Sequence, residues 1–187
     1  FAGPDPDGML RSLVPHSLEY ARLMAARLRL LEDIAEGGWG AAVPATRLSP
    51  GDEGAAVVAL RDRLIAMGYL APTARATYDA AVLRAVQAFQ RDHGLEPDGI
   101  AGTATIAAVN EEPAHRLSQV LVAMERERWL NLPGGRGARH VLVNLTDFQA
   151  RVVDDGVVSF ETKAIVGADH SGKPTPEFSD VMEYMEL

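Results

Sequence analysis

The sequence predicts an α+β chain: a helical scaffold carrying a compact three-helix module, followed by the first strands of an incomplete β-rich domain. Three observations predict it. Apolar residues recur at three- and four-residue steps in the patterned stretches up to Leu130. After the Pro133-Gly134-Gly135 break the period falls to two. Asp155-Gly156 then separates two of the resulting strand-like runs, and such a pair is a strong signal for a tight hairpin.

Residues 1–51 read as an arm, a scaffold helix and a linker. Pro4, Pro6, Pro15, Gly3 and Gly8 keep the first fifteen residues from forming a helix. Leu18, Ala21, Met24/Ala25, Leu28, Leu31 and Ala35 then place one apolar stripe on a helix that Ser17 can cap and Gly37-Gly38 can end. Residues 37–51 are a linker by composition, with Trp39 expected against a neighbour rather than in water.

Residues 52–110 form the module. Val57, Leu60, Leu64 and Met67 share the first helical face, which Gly68 ends before Tyr69-Leu70. Asp79 caps the second, whose inward face is Val82, Val86 and Phe89 and whose stop is Gly94. Pro97-Asp98-Gly99-Ile100-Ala101-Gly102 has the chemistry of a tight turn, and Thr103 is expected to cap a short third helix through Ile106 and Val109. Residues 111–135 are a second scaffold helix and linker: Pro113 opens the helix, Leu117, Leu121 and Met124 share a side, and Glu125-Arg126-Glu127-Arg128 is expected to be a solvated face. In residues 136–187, His140–Leu145, Gln149–Val153 and Val157–Val166 read as strands with two edges and one apolar face left to cover.

Composition then limits function. A chain of 187 residues with 47% hydrophobic and 24% charged residues can bury a core, and a net charge of −8 argues against a nucleic-acid partner. No uncharged apolar run reaches the ~18 residues that span a bilayer. The start at Phe1 in place of Met reads as a processed or trimmed chain, so the compartment stays open. With no cysteine, disulfides, thiolate-bound zinc, iron–sulfur clusters and a thiol nucleophile are all excluded from this polypeptide.

The remaining motifs are weak. His16, His93, His115, His140 and His170 include no pair at the i, i+4 spacing of a helical zinc site, so no metal is expected. Gly167–Pro174 approaches a phosphate-cradling loop, but Pro174 stands where a hydroxyl is needed, and no nucleotide or other cofactor is expected. Asp5-Pro6-Asp7-Gly8 opens like a calcium loop and lacks the later ligands, and Asn144-Leu145-Thr146 is a glycosylation triplet inside a strand.

One set of residues carries a family resemblance. Gly54, Val57, Leu60, Leu64, Gly68-Tyr69-Leu70, Tyr78-Asp79, Ala85-Val86, Phe89-Gln90, Gly94-Leu95, Asp98-Gly99, Gly102 and Thr105 resemble the three-helix peptidoglycan-binding domain of bacterial wall enzymes. The flanks extend it. Glu125-Arg126-Glu127-Arg128-Trp129-Leu130, His140–Asn144, Ile165-Val166-Gly167 and Thr175-Pro176-Glu177-Phe178-Ser179 resemble a large periplasmic L,D-transpeptidase. The resemblance implies residence in the periplasm or cell envelope, with peptidoglycan glycan strands and stem peptides as partners. It also implies cross-linking through a cysteine acyl-enzyme. The family's His and Cys motif lies downstream of the Thr-Pro-x-Phe segment and has no counterpart here, so no catalytic residue is assigned and the chain as given is expected to be inactive. A non-catalytic murein-binding adaptor is the alternative. Tyr69, Gln90 and Asp98 are the candidate peptidoglycan contacts, because polar side chains beside helix ends could bond a glycan or stem peptide; turn-making explains Asp98 equally well.

Overall fold

The computed structural model describes residues 14–15, 17–131, 136–167 and 172–183. Asp5–Gly8 and most of the N-terminal arm, the Pro133–Gly135 break, His16, His170 and the middle of the Gly167–Pro174 loop lie outside the described residues. The chain divides into two compact units, Phe1–Asn131 and Leu132–Leu187.

Among the described residues the first unit holds five helices: α1 (Leu18–Ala35), α2 (Ala55–Ala66), α3 (Ala80–Asp92), α4 (Thr103–Val109) and α5 (Pro113–Trp129). α1 starts where Ser17 Oγ accepts the Tyr20 N–H at 3.1 Å, and its two following glycines take φ of +95° and +85°. α1 and α5 pack antiparallel on each other. At one end Ser17 donates to Glu127 Oε2 (2.9 Å), and Arg128 donates to the Tyr20 hydroxyl (3.0 Å) while lying over its ring. At the other end a Cβ on Gly38 would sit 3.7 Å from Pro113 Cγ. The charged run therefore serves the helix pair as well as solvent.

The apolar stripe on α1 does not face α5. Leu18 and Leu28 are 55% and 51% exposed, whereas Tyr20 and Leu30 are buried. The ties at Ser17 and Tyr20 fix the rotation of α1, and Tyr20 lies about 200° around the helix from Leu18. On α5, Met124 is buried and Leu121 is exposed.

Between these helices lies the three-helix module. Its core is Val57, Leu60 and Leu64 from α2, Val82, Ala85, Val86 and Phe89 from α3, and Ile106 and Val109 from α4, with Tyr78 and Ala101 from the loops. Asp79 caps α3 through the Ala81 and Val82 N–H groups (3.0 and 3.1 Å), and Gly68 and Gly94 take the left-handed conformation that ends α2 and α3. Thr103 is not a cap. It is the first residue of α4, preceded by Gly102, and its hydroxyl points to the Thr46 carbonyl at 3.5 Å.

The stretch that composition reads as a linker is built into this core. Val43 and Leu48 are 3% and 7% exposed within it. Leu48 pairs with Ala101 through two backbone hydrogen bonds of 2.9 Å, and the Asn110 side chain bonds both the N–H and the carbonyl of Val43 (2.8 and 3.2 Å). Trp39 is buried and donates to Asp33 (2.9 Å).

α2 is buried on nearly every side, including two arginines. Arg63 donates to the carbonyls of Val109 (2.8 Å), Gly40 (2.8 Å) and Glu111 (3.0 Å), and so joins the helix, the incoming segment and the exit to α5. Burial draws its pKa below the ordinary value, an effect that the Glu112 charge opposes. Arg61 donates to the Thr77 carbonyl (2.9 Å), bonds Thr73, and stands 3.4 Å from Asp79, fastening the 73–79 loop.

In the second unit β1 (Arg139–Asn144), β2 (Gln149–Asp154) and β3 (Val157–Lys163) form an antiparallel sheet in the order β1-β2-β3. Asp155 and Gly156, at φ of +50° and +79°, make the hairpin turn, and the register shifts between Val152 and Val153. Val141, Val152 and Phe160 are cross-strand neighbours, and Val141 and Phe160 are exposed.

Candidate functional site

The surface beside the end of α3 and the start of α4 is shaped by one buried side chain. Gln90 is 2% exposed, which an amide tolerates only when its hydrogen bonds are made. Its Nε2 faces Asp98 Oδ1 (2.9 Å), the Ile100 carbonyl (3.0 Å) and Thr105 Oγ1 (3.2 Å), and its Oε1 accepts the Gly99 N–H (2.9 Å). Two amide hydrogens thus serve three acceptors, and the whole 98–100 turn is held onto α3. Tyr78, almost fully buried, donates to the Gly99 carbonyl from the other side (2.9 Å). Gly99 itself takes φ of +75°, and a Cβ there would collide with Leu83 Cδ1.

The pinned turn forms one wall of an open groove of about 250 Å³ lined by Arg47, Gln90, Leu95, Glu96, Asp98, Ile100 and the Gly102–Thr105 segment. That is below the range of enclosed small-molecule cavities, roughly 300–1,000 Å³. A larger hollow is bounded by Asp180, Val181, Met182 and Glu183 alone, four consecutive residues of an extended segment with no convergent side chains from elsewhere in the fold.

The groove is electrostatically mixed. Asp98 Oδ1 accepts the Ile100 N–H (2.8 Å) as well as the Gln90 amide, and these bonds, with the nearby Arg47 charge, hold its carboxyl below the usual range. It is ionised at neutral pH. Arg47 projects from the backbone position next to the clamped Leu48 and is exposed. Leu95, Ile100 and Ala104 supply apolar surface between the charges.

The three residues singled out in the sequence divide. Gln90 and Asp98 come together at 2.9 Å, but Gln90 is an internal fastener whose bonding capacity is spent on the protein. Tyr69 is not among the groove-lining residues. Its ring meets Phe89 edge to face at 5.3 Å and its hydroxyl donates to Asp92 (3.0 Å), while burial and the Asp92 charge push its pKa up. His93 stacks on Phe89 at 3.9 Å, and burial pushes its pKa down. Sequence reasoning missed Arg47, Glu96 and Thr103 as lining residues. The signal for Arg47 was only its place beside Leu48, an apolar residue in a segment of linker composition.

Among the described residues no group of three His, Asp or Glu side chains could hold a metal ion, and no helix is long and apolar enough to cross a membrane. No curated protein matches the chain. Residues 53–109 match the family model of the peptidoglycan binding domain, a span that includes α2, α3, α4 and the pinned turn and begins six residues after Arg47. The fold of that segment and this match agree: the chain carries a peptidoglycan-binding domain at residues 53–109.

Proposed function

We propose that the module docks the chain onto peptidoglycan through the groove beside Asp98, and that it does so as the wall-holding part of an L,D-transpeptidase of the cell envelope. The observation that carries the docking is the position of the groove: its pinned wall and its floor belong to the matched segment, and its mixture of charge, hydroxyl and apolar surface suits stem peptides on a glycan strand. A peptidoglycan-binding domain suggests a cell-envelope association. The transpeptidase reading is supported by the sequence likeness of Glu125–Leu130, His140–Asn144 and Thr175–Ser179 to that family. Its chemistry needs a thiolate, and this polypeptide has no cysteine, so a thioester would form on a thiol outside these 187 residues.

Sedimentation with purified sacculi tests the docking: the chain is expected in the pellet at low and moderate salt, and a chain that stays in the supernatant under both overturns it. Reading the gene past the Leu187 codon tests the enzyme. A His and a Cys within a β-rich stretch support it, and an immediate stop codon favours a murein-binding adaptor instead.

A further inference from the structure

Two charged side chains that line the groove are held by no direct bond, although the Arg47 charge lies near enough to Asp98 to lower its pKa. Among the described residues the Arg47 guanidinium and the Glu96 carboxylate make no hydrogen bond and no ion pair within 4 Å, although both line the same groove. Neither position is loose in its backbone. Leu48, next to Arg47, is buried and held by two bonds to Ala101, and the Glu96 carbonyl accepts the Asp98 N–H at 2.9 Å at the start of the pinned turn. Asp98 adds an ionised carboxylate whose Oδ1 is spent on Gln90 and Ile100. The groove thus carries one cation and two carboxylates among its lining residues.

We infer that this groove recognises an α-amino-acid zwitterion, an ammonium and a carboxylate on one carbon, with Arg47 taking the carboxylate and Glu96 and Asp98 taking the ammonium. A purely anionic group would meet the two acids, and a purely cationic one would meet Arg47, so each is opposed by part of the site. A zwitterion meets both signs of charge that line the groove. In peptidoglycan the group with this chemistry is the free end of a diamino acid in a stem that is not yet cross-linked, because cross-linking turns its ammonium into a neutral amide. The inference rests on the docking reading and narrows it: the module reads uncross-linked stems. It also assigns Arg47, which lies before the matched residues 53–109, as a specificity-determining residue.

The test uses the whole chain and three soluble tripeptides, L-Ala-D-Glu-meso-diaminopimelate with a free end, the same with its terminal amine acetylated, and the same with the adjacent carboxylate amidated. Titration calorimetry is expected to show at least tenfold weaker binding for each blocked peptide. Arg47→Gln is expected to lose at least tenfold for the free peptide and little for the amidated one. Glu96→Gln is expected to narrow the gap between the free and acetylated peptides. Both substituted side chains are exposed, and circular dichroism would check that the variants fold. Equal binding of all three peptides, no measurable binding of the free one, or Arg47→Gln binding it like the parent would overturn the inference. If sacculi still pull the chain down in that event, docking stands and only the zwitterion reading falls; if they do not, both fall.

Discussion

Arg63 offers the most demanding test of how the module is held. Its side chain is fully buried and serves three carbonyls. In Arg63→Ala the Val109 carbonyl, whose bond is buried, loses a charged donor worth roughly 1.5–3 kcal/mol. The Gly40 and Glu111 carbonyls are only partly buried, so water can replace much of their loss, about 1 kcal/mol each. Together these come to about 3.5–5 kcal/mol before the packing around the aliphatic stem is counted, a large fraction of what a domain of this size has. For a chain of this length that corresponds to a fall in melting temperature of about 10–15 °C, read by circular dichroism at 222 nm. Arg63→Met keeps volume without donors and is expected to recover only a small part; Arg63→Lys keeps charge but reaches fewer carbonyls and is expected to fall between. A melting temperature for Arg63→Ala within about 3 °C of the parent would mean that the three bonds contribute almost nothing net, and the account of the module's attachment would be wrong.

Three further outcomes follow from the same geometry. Gln90→Leu removes four hydrogen bonds from a buried site and is expected to cost about 2–4 kcal/mol in urea denaturation and to weaken sacculus binding together with stability. Asp79→Ala removes the α3 cap; bonds from Val82 and Ala81 and the Arg61 charge lower the Asp79 pKa, so the stability difference from the parent is expected in full above the unfolded carboxyl value near ~4 and to vanish as pH falls through the folded one, seen in melts across pH 2–7. Proteolytic cleavage between Val43 and Leu48 is expected to leave the two pieces in one species on native sizing, because α1 stays packed on α5 and Val43 stays bonded to Asn110; two separately migrating pieces would contradict the packing.

Local signals in the sequence translated well into the fold. Ser17 and Asp79 cap helices, Pro113 opens α5, Gly68 and Gly94 close α2 and α3, and Asp155-Gly156 turns the hairpin, each through backbone chemistry that needs only a few neighbouring residues. What the sequence did not disclose depends on partners distant along the chain. The α1 stripe of Leu18 and Leu28 has the right period, but Ser17 and Tyr20 bond residues 110 and 108 positions away, and those bonds choose the other face. Residues 37–51 have a loop's composition, yet Val43 and Leu48 enter the core by pairing with Asn110 and Ala101. Gln90 shows the same limit at the site: a polar residue near a helix end reads as a ligand contact until its four internal partners are known. Arg61 and Arg63 passed unnoticed because arginine ordinarily marks a solvated surface, and only distant partners, three carbonyls for Arg63 and a carbonyl, a hydroxyl and a carboxylate for Arg61, make burial affordable.

The clasp between Val43 and Asn110 has a mechanical consequence. The chain enters the module and leaves it at this one neck, where two side-chain bonds and the nearby Arg63 span the gap. Tension applied along the polypeptide would be shunted across the neck from the first scaffold helix to the last, leaving the looped-out bundle unstretched until the clasp gives way.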